Sequence, residues 1–334
     1  MNRWVKIFLM VASLLPCISF AQKDALVGFY KGTIEGSKWY PYNCDENIYA
    51  EIAKFPGGYT LRLLSDVMAR SEAHITLKGL KAGNNEIMLK DAGAWRLNGT
   101  INPKAFSLTA RHGKDNVKMS FARLNIVSPT MGKKAPKGAV VLNSPSQWVH
   151  SQGVPCVWKV VEGAMVSAPQ IVDGKRKDGS IYTKQVFGAL RMHLEFKLPA
   201  EYDKGFGRGN SGLYFGPYEI QILDSFGDEG SFGHCGSIYR ISPPRVNACL
   251  EPEAWQTYDV EFYPAKYEGD KLLSNPLITV WHNGVRIHHL EEIPRATVLG
   301  KWLKDFKHPK GKMHIHLQDH NHPVMFRNIW VQEL

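Results

Sequence analysis

Short runs with the two-residue period of a β-strand recur along almost the whole chain, and this pattern constrains the fold more than any other feature. Apolar residues alternate with polar ones, and Gly, Asn and Asp separate the runs, whereas helical periodicity is scarce. Asn283-Gly284 lies between two such runs and is typical of a two-residue hairpin turn. Because these features belong to antiparallel sheets, the sequence predicts an all-β protein.

The chain has 334 residues, which is enough for two domains. The stretch PTMGKKAPK has no apolar period and predicts a linker over residues 129–138. Residues 22–128 contain evenly spaced strand-like runs without a cluster of reactive groups, and we interpret them as a small all-β accessory domain. Residues 139–334 predict a larger β-sandwich of the jelly-roll or lectin type, which can bury one face of a sheet and expose a polar face.

The first 21 residues have the features of a signal peptide. Arg3 and Lys6 precede a short apolar run, and Ser19-Phe20-Ala21 offers small residues for cleavage before Gln22. This run is too short for a stable membrane span, and no later stretch is long enough. We therefore predict an exported protein, periplasmic or secreted, from a Gram-negative bacterium.

Charge and cysteine content add two expectations. The chain has 41 Lys+Arg against 31 Asp+Glu, but the basic residues are spread out, which predicts a solvated surface and no nucleic-acid partner. Among the cysteines that would remain after export, Cys235 and Cys249 flank one loop and are the better candidates for a disulfide. Cys44 and Cys156 can equally be buried thiols.

The strand alternation predicts a polar face in the larger domain. Polar side chains oppose apolar ones along four runs, and they are Glu, Gln, Asn, His and Tyr beside Gly, a composition suited to a polyhydroxylated ligand. The alternative is an ordinary solvent-exposed face. The residues are Arg191, His193 and Glu195; Asn210 and Tyr214; Glu219 and Gln221; and His314, His316 and Gln318, with His320 just beyond.

Three local patterns suggest more specific chemistry. GRGNSG at residues 207–212 matches a dinucleotide motif, but a strand-like run follows it instead of a helix, so we predict no nicotinamide site. Eight of the thirteen histidines lie from His282 to His322, and His314, His316 and His320 could hold a divalent metal with Glu219, although scattered polar histidines are the alternative.

The third pattern is Glu219-x-Gln221-x-x-Asp224, which looks like the paired carboxylates of laminarinase-type glycosidases. Residues five apart on a regular strand face opposite ways, so this interpretation requires a bulge. The alternative is that Asp224 caps the following turn.

Six ordered motifs resemble the 3-keto-disaccharide hydrolase domain family, long known as a domain of unknown function, over about residues 139–334. The resemblance implies a concanavalin-like sandwich that cleaves or hydrates glycosides whose C3 hydroxyl has been oxidised to a ketone. The ketone acidifies the C2 proton, so elimination can expel the C1 substituent and water can then add. The motifs are GNSGLY at 209–214, YEIQILD at 218–224, GSIY at 236–239, Trp255, WHNG at 281–284, and LQDH at 317–320 before FRNI at 326–329.

The resemblance also implies site roles. Glu219 or His320 is the candidate base and Tyr239 a candidate acid, and a divalent ion could replace the polar donors. A separate 3-oxidising dehydrogenase would supply the oligosaccharide or glycoside substrate. A direct glycosidase using Glu219 and Asp224, and a non-catalytic glycan-binding module, remain alternatives. The other substrate-binding candidates are Asn210, Gln221 and Gln318, followed by Glu195, Asp224 and His193.

Overall fold

The computed structural model describes residues 22–36, 47–67, 73–297 and 305–334. These residues form β-strands and three short 3-10 turns, without an α-helix, which confirms the all-β fold class. In this part of the chain no helix has the length and apolar character needed to cross a membrane. The predicted signal peptide at residues 1–21 and Cys44 lie outside the described residues.

The first nine strands form one antiparallel sheet in the order β4-β3-β2-β1-β9-β8-β7-β6-β5. Consecutive strands are neighbours in the sheet except for β4 and β5, which are its two edge strands and are joined by the single residue Lys81. The sheet is completed by the pairing of β1 with β9. The strands are Gly28–Gly36 (β1), Asn47–Phe55 (β2), Gly58–Leu64 (β3), Ile75–Leu80 (β4), Ala82–Gly83 (β5), Glu86–Ala92 (β6), Leu97–Ile101 (β7), Ala105–His112 (β8) and Asp115–Leu124 (β9).

Two further sheets form the predicted sandwich. One has eight strands in the order β12-β13-β26-β17-β20-β23-β24, with β10 paired to β26, and the other has five in the order β11-β16-β25-β18-β19. Two small hairpins, β14-β15 and β21-β22, stand apart from them. Within the described residues this is the jelly-roll-like sandwich that the alternation predicted, preceded by a smaller all-β unit.

Among the described residues, the sandwich contains strands β10 to β26, numbered in chain order, and three 3-10 turns. The strands are Val140–Val141 (β10), Trp148–Val149 (β11), Lys159–Val161 (β12), Ala164–Val166 (β13), Gln170–Val172 (β14), Lys175–Lys177 (β15), Ile181–Thr183 (β16), Leu190–Lys197 (β17), Ser211–Phe215 (β18), Tyr218–Ile222 (β19), Trp255–Tyr263 (β20), Lys266–Glu268 (β21), Lys271–Ser274 (β22), Leu277–His282 (β23), Val285–Glu292 (β24), Ile315–Leu317 (β25) and Met325–Glu333 (β26). The 3-10 turns are Pro145–Gln147, Ser151–Gly153 and Tyr202–Lys204.

One apolar core fills the space between the two sheets of the sandwich. Leu213 and Phe215 of β18 and Ile220 of β19 belong to it, together with Leu194 and Phe196 of β17 in the other sheet. Because successive side chains of a strand point to opposite faces, the residues between these apolar ones lie on the outer faces of their own sheets. The hairpin between β23 and β24 turns at Asn283 and Gly284, whose φ angles of 50° and 78° fit the predicted turn.

Residues 129–138 pack onto the outer face of the eight-stranded sheet. The Gly132 amide donates to Glu195 Oε1 over 2.6 Å, and Lys133 Nζ donates to Asp259 Oδ1 over 2.8 Å. Trp330 Nε1 donates to the carbonyl of Lys133 over 3.1 Å. The segment has no regular structure, as its composition predicts, but side chains of the sheet hold it in place. The division into a domain at 22–128, a linker at 129–138 and a domain at 139–334 stays a prediction.

Loops of the sandwich pack against the first sheet. The rings of Phe29 and Phe226 meet edge to face with centroids 5.1 Å apart. A Cβ on Gly227 would lie 2.2 Å from that of Ala53, so only glycine permits this close approach. Phe226 is therefore part of the apolar core of the first sheet, and the loop after β19 is fixed on both sides.

Candidate active site

A row of polar and aromatic side chains crosses the outer face of the five-stranded sheet. Tyr182 pairs in register with His316, His316 with Tyr214, and Tyr214 with Glu219. The amide of Tyr239 donates to the carbonyl of Glu219 over 3.1 Å, which extends the row by one residue beyond β19. We call these five residues the polar row.

Glu219 is the buried carboxylate of this row. Its side chain is 4% exposed, and it accepts a hydrogen bond from the Tyr214 hydroxyl. Burial raises the pKa of Glu219 to about 7, against the opposing effect of that hydrogen bond. Burial also raises the pKa of Tyr214, and the nearby carboxylate adds to the shift, so this tyrosine remains a neutral donor. A carboxyl group that titrates near neutrality is suited to general acid–base catalysis.

The backbone around Glu219 is also fixed. Its amide donates to Thr297 Oγ1 over 2.9 Å, and that hydroxyl donates to the carbonyl of Pro217 over 3.0 Å. The edge of β19 beyond Glu219 is paired with the segment that carries Ser237 and Tyr239. The carboxylate is therefore presented from a fixed backbone, as precise proton transfer requires.

His316 lies between two tyrosine rings. Its ring stacks on Tyr214 with centroids 3.9 Å apart, and Tyr182 lies at 4.7 Å on a tilted plane. Burial lowers the pKa of His316 to about 3. Its imidazole is therefore neutral at ordinary pH, and its ring supports the aromatic part of the row.

A second row of small and amide side chains runs beside the first. Gly212 pairs with Gln221, and the amide of Gln318 donates to the carbonyl of Gly212 over 3.0 Å. The amide of Gln221 donates to the carbonyl of Ser237 over 2.9 Å. This row places Gln318, Gly212, Gln221 and Ser237 across the same face, and Asn210 lies just before β18. We call these five residues the amide row.

Four side-chain oxygens of the amide row have no hydrogen-bond partner among the described residues: Asn210 Oδ1, Gln221 Oε1, Gln318 Oε1 and Ser237 Oγ. A buried polar atom left unpaired costs about 1–3 kcal/mol. Four such atoms beside one carboxylate are the arrangement expected where the hydroxyls of a ligand, or water, complete the hydrogen bonding.

Two of the predicted site residues lie on the other sheet. His193 and Glu195 do alternate with the core residues of β17, but β17 belongs to the eight-stranded sheet, so they lie on the opposite outer face of the sandwich. His193 Nδ1 contacts Asp259 Oδ1 at 3.1 Å, and Glu195 accepts from Arg327 Nε at 2.7 Å and Asn328 Nδ2 at 2.8 Å. The expectation that they share a face with Glu219 is wrong. Glu195 instead binds residues 129–138 directly, and His193 contacts Asp259, which binds Lys133.

Asp224 is also outside the rows. Arg208 Nε donates to Asp224 Oδ2 over 2.8 Å, and the Phe226 amide donates to Oδ1 over 3.1 Å. The pairing of β18 with β19 is regular and contains no bulge. The capping alternative is therefore correct, and the geometry that a pair of catalytic carboxylates at Glu219 and Asp224 would need is not present.

The histidine cluster does not assemble as a metal site. His320 is exposed and its ring lies 6.3 Å from that of His322, while His314 Nδ1 contacts the carbonyl of Thr183 at 2.7 Å. No group of three His, Cys, Asp or Glu within the described ranges could hold one metal ion. The donors around Glu219 do not fit the predicted divalent site, so no step is assigned to a metal.

Sequence reasoning did not single out Tyr182 and Ser237 as members of the rows. Tyr182 sits in a strand of three residues, β16, where alternation is too short to recognise. Ser237 lies in a segment that joins the sheet only through bridges to β19. The GSIY motif contained the signal, since Ser237 and Tyr239 flank the buried Ile238.

Cys235 and Cys249 are buried thiols in the structure and are not joined. They do lie in hydrogen-bond contact with each other. The predicted disulfide is therefore absent here, although its two sulfurs are neighbours.

Gly212→Ala is expected to lower kcat/KM at least tenfold while the protein stays folded. A Cβ at this position would lie 2.6 Å from both Glu219 Oε1 and Tyr214 Cε2, so the carboxylate must move, whereas the backbone accepts alanine. Small displacements of reacting groups have such effects. Steady-state kinetics and thermal unfolding check this, with Gly188→Ala as the control because its nearest contact is 3.7 Å away. Equal activity of the Gly212→Ala and Gly188→Ala variants would contradict the catalytic role assigned to Glu219.

A β-sandwich that presents one buried carboxyl group among tyrosines and amides on an outer sheet face offers the groups that acid–base chemistry on a polyhydroxylated ligand needs. Residues 139–332 match the 3-keto-alpha-glucoside-1,2-lyase-like domain. The chain belongs to that family, as the ordered motifs predicted.

Two solved structures are similar to this chain. A candidate glycosyl hydrolase from Parabacteroides distasonis ATCC 8503 is 33% identical, with a TM-score of 0.52, and the match covers 60% of this chain and 85% of that one. A second candidate glycosyl hydrolase from the same organism is 21% identical, covers 59% of this chain and 99% of its own, and has a TM-score of 0.41. No curated protein sequence matches.

Proposed function

We propose that this protein cleaves or hydrates 3-keto-glycosides by elimination and hydration across C1 and C2, with Glu219 as the base. The observation that carries the proposal is the buried carboxyl group of Glu219, whose pKa is about 7 and which shares its sheet face with the four unpaired side-chain oxygens of the amide row. Such a group can take a weakly acidic carbon-bound proton near neutral pH. The family assignment supports this substrate class.

The first step removes the C2 proton. The ketone at C3 accepts the electron pair of the broken C2–H bond, which forms an enolate oxygen at C3, and the Glu219 carboxylate keeps the proton. Side-chain N–H groups of Gln221 and Asn210 are the donors proposed for that oxygen and for the sugar hydroxyls. Gln318 Nε2 donates one N–H to the Tyr214 hydroxyl over 3.1 Å and can offer its second. Glu219 and Gln221 are buried and Asn210 and Gln318 are half-buried, so their charges and dipoles act in a medium less polar than bulk water.

The second step expels the C1 substituent. The enolate electrons form the C1–C2 double bond as the C1–O bond breaks, and Tyr239 supplies a proton to the departing oxygen. The carboxyl group of Glu219 exchanges its proton with solvent. Water then adds at C1, C2 takes a proton from Glu219, and Tyr239 recovers its own proton from the added water. Elimination followed by addition of water amounts to hydrolysis of the glycoside. If the unsaturated sugar is released before water adds, it is the lyase product.

Two further proposals accompany this one. A separate dehydrogenase that oxidises C3 has to supply the substrate, because the reaction needs the ketone. Removal of residues 1–21 on export would place the enzyme outside the cytoplasm. The mass of the protein recovered from a native host distinguishes a chain that begins at Gln22 from one that begins at Met1.

Activity is expected on a 3-keto-glucoside and not on the same glucoside before oxidation. Only the carboxylate form of Glu219 can act as base, so kcat/KM should fall about tenfold per pH unit below about 7 and level off above it. Product release from both substrates, measured across pH 5–9, tests this. Turnover of the unoxidised glucoside at a comparable rate would indicate a direct glycosidase. Binding without turnover of either would indicate a glycan-binding module.

A further inference from the structure

A cavity lies between the first sheet and the loop that follows β19. Its volume is about 510 Å³, within the range of about 300–1,000 Å³ usual for ligand pockets. Phe55, Thr60 and Thr76 line it from the first sheet, and Gly227 and His234 line it from the loop. Both halves of the chain therefore contribute walls to one cavity.

The cavity lies close to one end of the polar row, with an exposed ring beside both. Phe206 is 74% exposed, and its ring centroid lies 5.6 Å from that of His234, which lines the cavity. A Cβ on Gly233 would lie 3.3 Å from Phe206 Cζ and 3.9 Å from Tyr239 Cε2. Phe206 and Tyr239 therefore both lie beside Gly233, the residue before His234 of the cavity lining, and Tyr239 is hydrogen-bonded through its backbone to Glu219.

The lining has the character of a sugar site. Thr60 and Thr76 lie in the lining together with Phe55, and the exposed ring of Phe206 offers a further flat surface beside His234. The charged residues in the lining include both signs, with Arg62 and Lys78 opposed by Asp228 and Glu229. An uncharged, polyhydroxylated chain fits this lining, because aromatic faces stack on sugar rings while hydroxyls take the hydrogen bonds.

The walls are held in a fixed relation. Arg208 stacks over the Phe55 ring at 4.7 Å and donates to Asp228 Oδ2 over 3.2 Å, so it joins the first sheet to the loop. Gly227 approaches Ala53 too closely for any side chain. The cavity is therefore built by the contact between the two units and does not depend on the sandwich alone.

We propose that this cavity is a binding subsite for the aglycone, and that the aglycone it takes is a chain of further sugar residues. This inference rests on the proposed function, which places the scissile bond beside Glu219 and Tyr239. The oxidised ring lies on the polar row, and the leaving group extends past Phe206 into the cavity. The first sheet thereby selects oligosaccharides over simple glycosides.

Binding of unoxidised gluco-oligosaccharides tests the subsite without requiring turnover. Calorimetric titration of the full chain with glucose and with maltotetraose or cellotetraose is expected to show at least tenfold tighter binding of one of the two tetrasaccharides. Phe206→Ala, which removes the exposed ring, and Thr76→Trp, which fills the cavity from the first sheet, should each remove most of that gain. Met88→Ala is the matched control, because Met88 is 63% exposed on β6 and away from the cavity.

The outcomes separate the two proposals. Tetrasaccharides that bind no more tightly than glucose, or a gain that survives both substitutions, would overturn the subsite. Hydrolysis of the unoxidised tetrasaccharide during the titration would contradict the 3-keto mechanism, and its KM would then report on the subsite in the same variants. A gain that is lost equally in Met88→Ala would show a general effect on folding and also overturn the assignment.

Discussion

Glu219→Gln is expected to lower kcat on a 3-keto-glucoside by about 10²–10⁴-fold, the contribution of a positioned general base. The same variant should be more stable than the parent at pH 8. The folded protein holds the Glu219 proton up to about pH 7, whereas an unfolded chain releases it near 4.5, so stability falls as pH rises between these values. The neutral amide removes this loss, which is on the order of 2–3 kcal/mol.

Glu195→Gln is the matched control for that experiment. Burial alone would raise the pKa of Glu195, but hydrogen bonds from His193, Asn328, Gly132 and Arg327 hold it at about 2. This carboxylate therefore contributes stability above about pH 4.5 that is lost as pH falls toward 2. Its amide variant should lose stability at pH 8 and keep kcat.

Kinetics and denaturant unfolding of both variants are measured at pH 5 and pH 8. They check that Glu219→Gln raises the free energy of unfolding at pH 8, whereas Glu195→Gln lowers it. A Glu219→Gln protein that retains activity, or that is destabilised at pH 8, would contradict the role and the environment assigned to this residue.

Arg208→Met is expected to destabilise the protein by about 3–5 kcal/mol, because it leaves a buried carboxylate without its partner. Arg208 is 3% exposed and Asp224 is 2% exposed, and their ion pair at 2.8 Å joins the end of β19 to the preceding loop. Arg208 Nη2 also donates to the carbonyl of Phe226 over 3.2 Å. Its loss should loosen the loop that leads to Tyr239 and raise KM as well.

Arg191→Met gives the comparison for Arg208. Its guanidinium pairs with Glu261 at 2.8 Å on the surface, where such pairs contribute about 0–1 kcal/mol. Combining Arg208→Met with Asp224→Asn should restore part of the lost stability, since the amide needs no counter-charge and can still accept from the Phe226 amide. Urea unfolding measures all three. A shift for Arg208→Met no larger than that for Arg191→Met would contradict the buried role.

Alternation predicted which face each side chain of a strand would take. In β18, β19 and β25 the apolar residues face the core, so Tyr214, Glu219, Gln221 and His316 emerge together. Residues that belong to regular strands of the same sheet were therefore predictable from the sequence.

Alternation did not predict positions that depend on tertiary contacts. His193 has the parity of a face residue, but parity does not say to which of two sheets β17 belongs. Asp224 and His320 lie beyond the ends of their strands, where period two no longer applies. The composition of residues 129–138 predicted the absence of regular structure but could not predict that Glu195 and Asp259 would bind the segment. The positions of these residues depend on contacts with side chains that are distant in the sequence, which alternation does not describe.

The fate of the C2 hydrogen tests the account most directly. When the enzyme acts on a 3-keto-glucoside in D₂O, the account predicts that NMR and mass spectrometry find deuterium at C2 of the product, formed at a rate that depends on Glu219 and exceeds exchange in buffer alone. A hydrolysis product that retains its original hydrogen at C2 would contradict the mechanism, in which the carboxyl group of Glu219 exchanges its proton with solvent before it reprotonates C2.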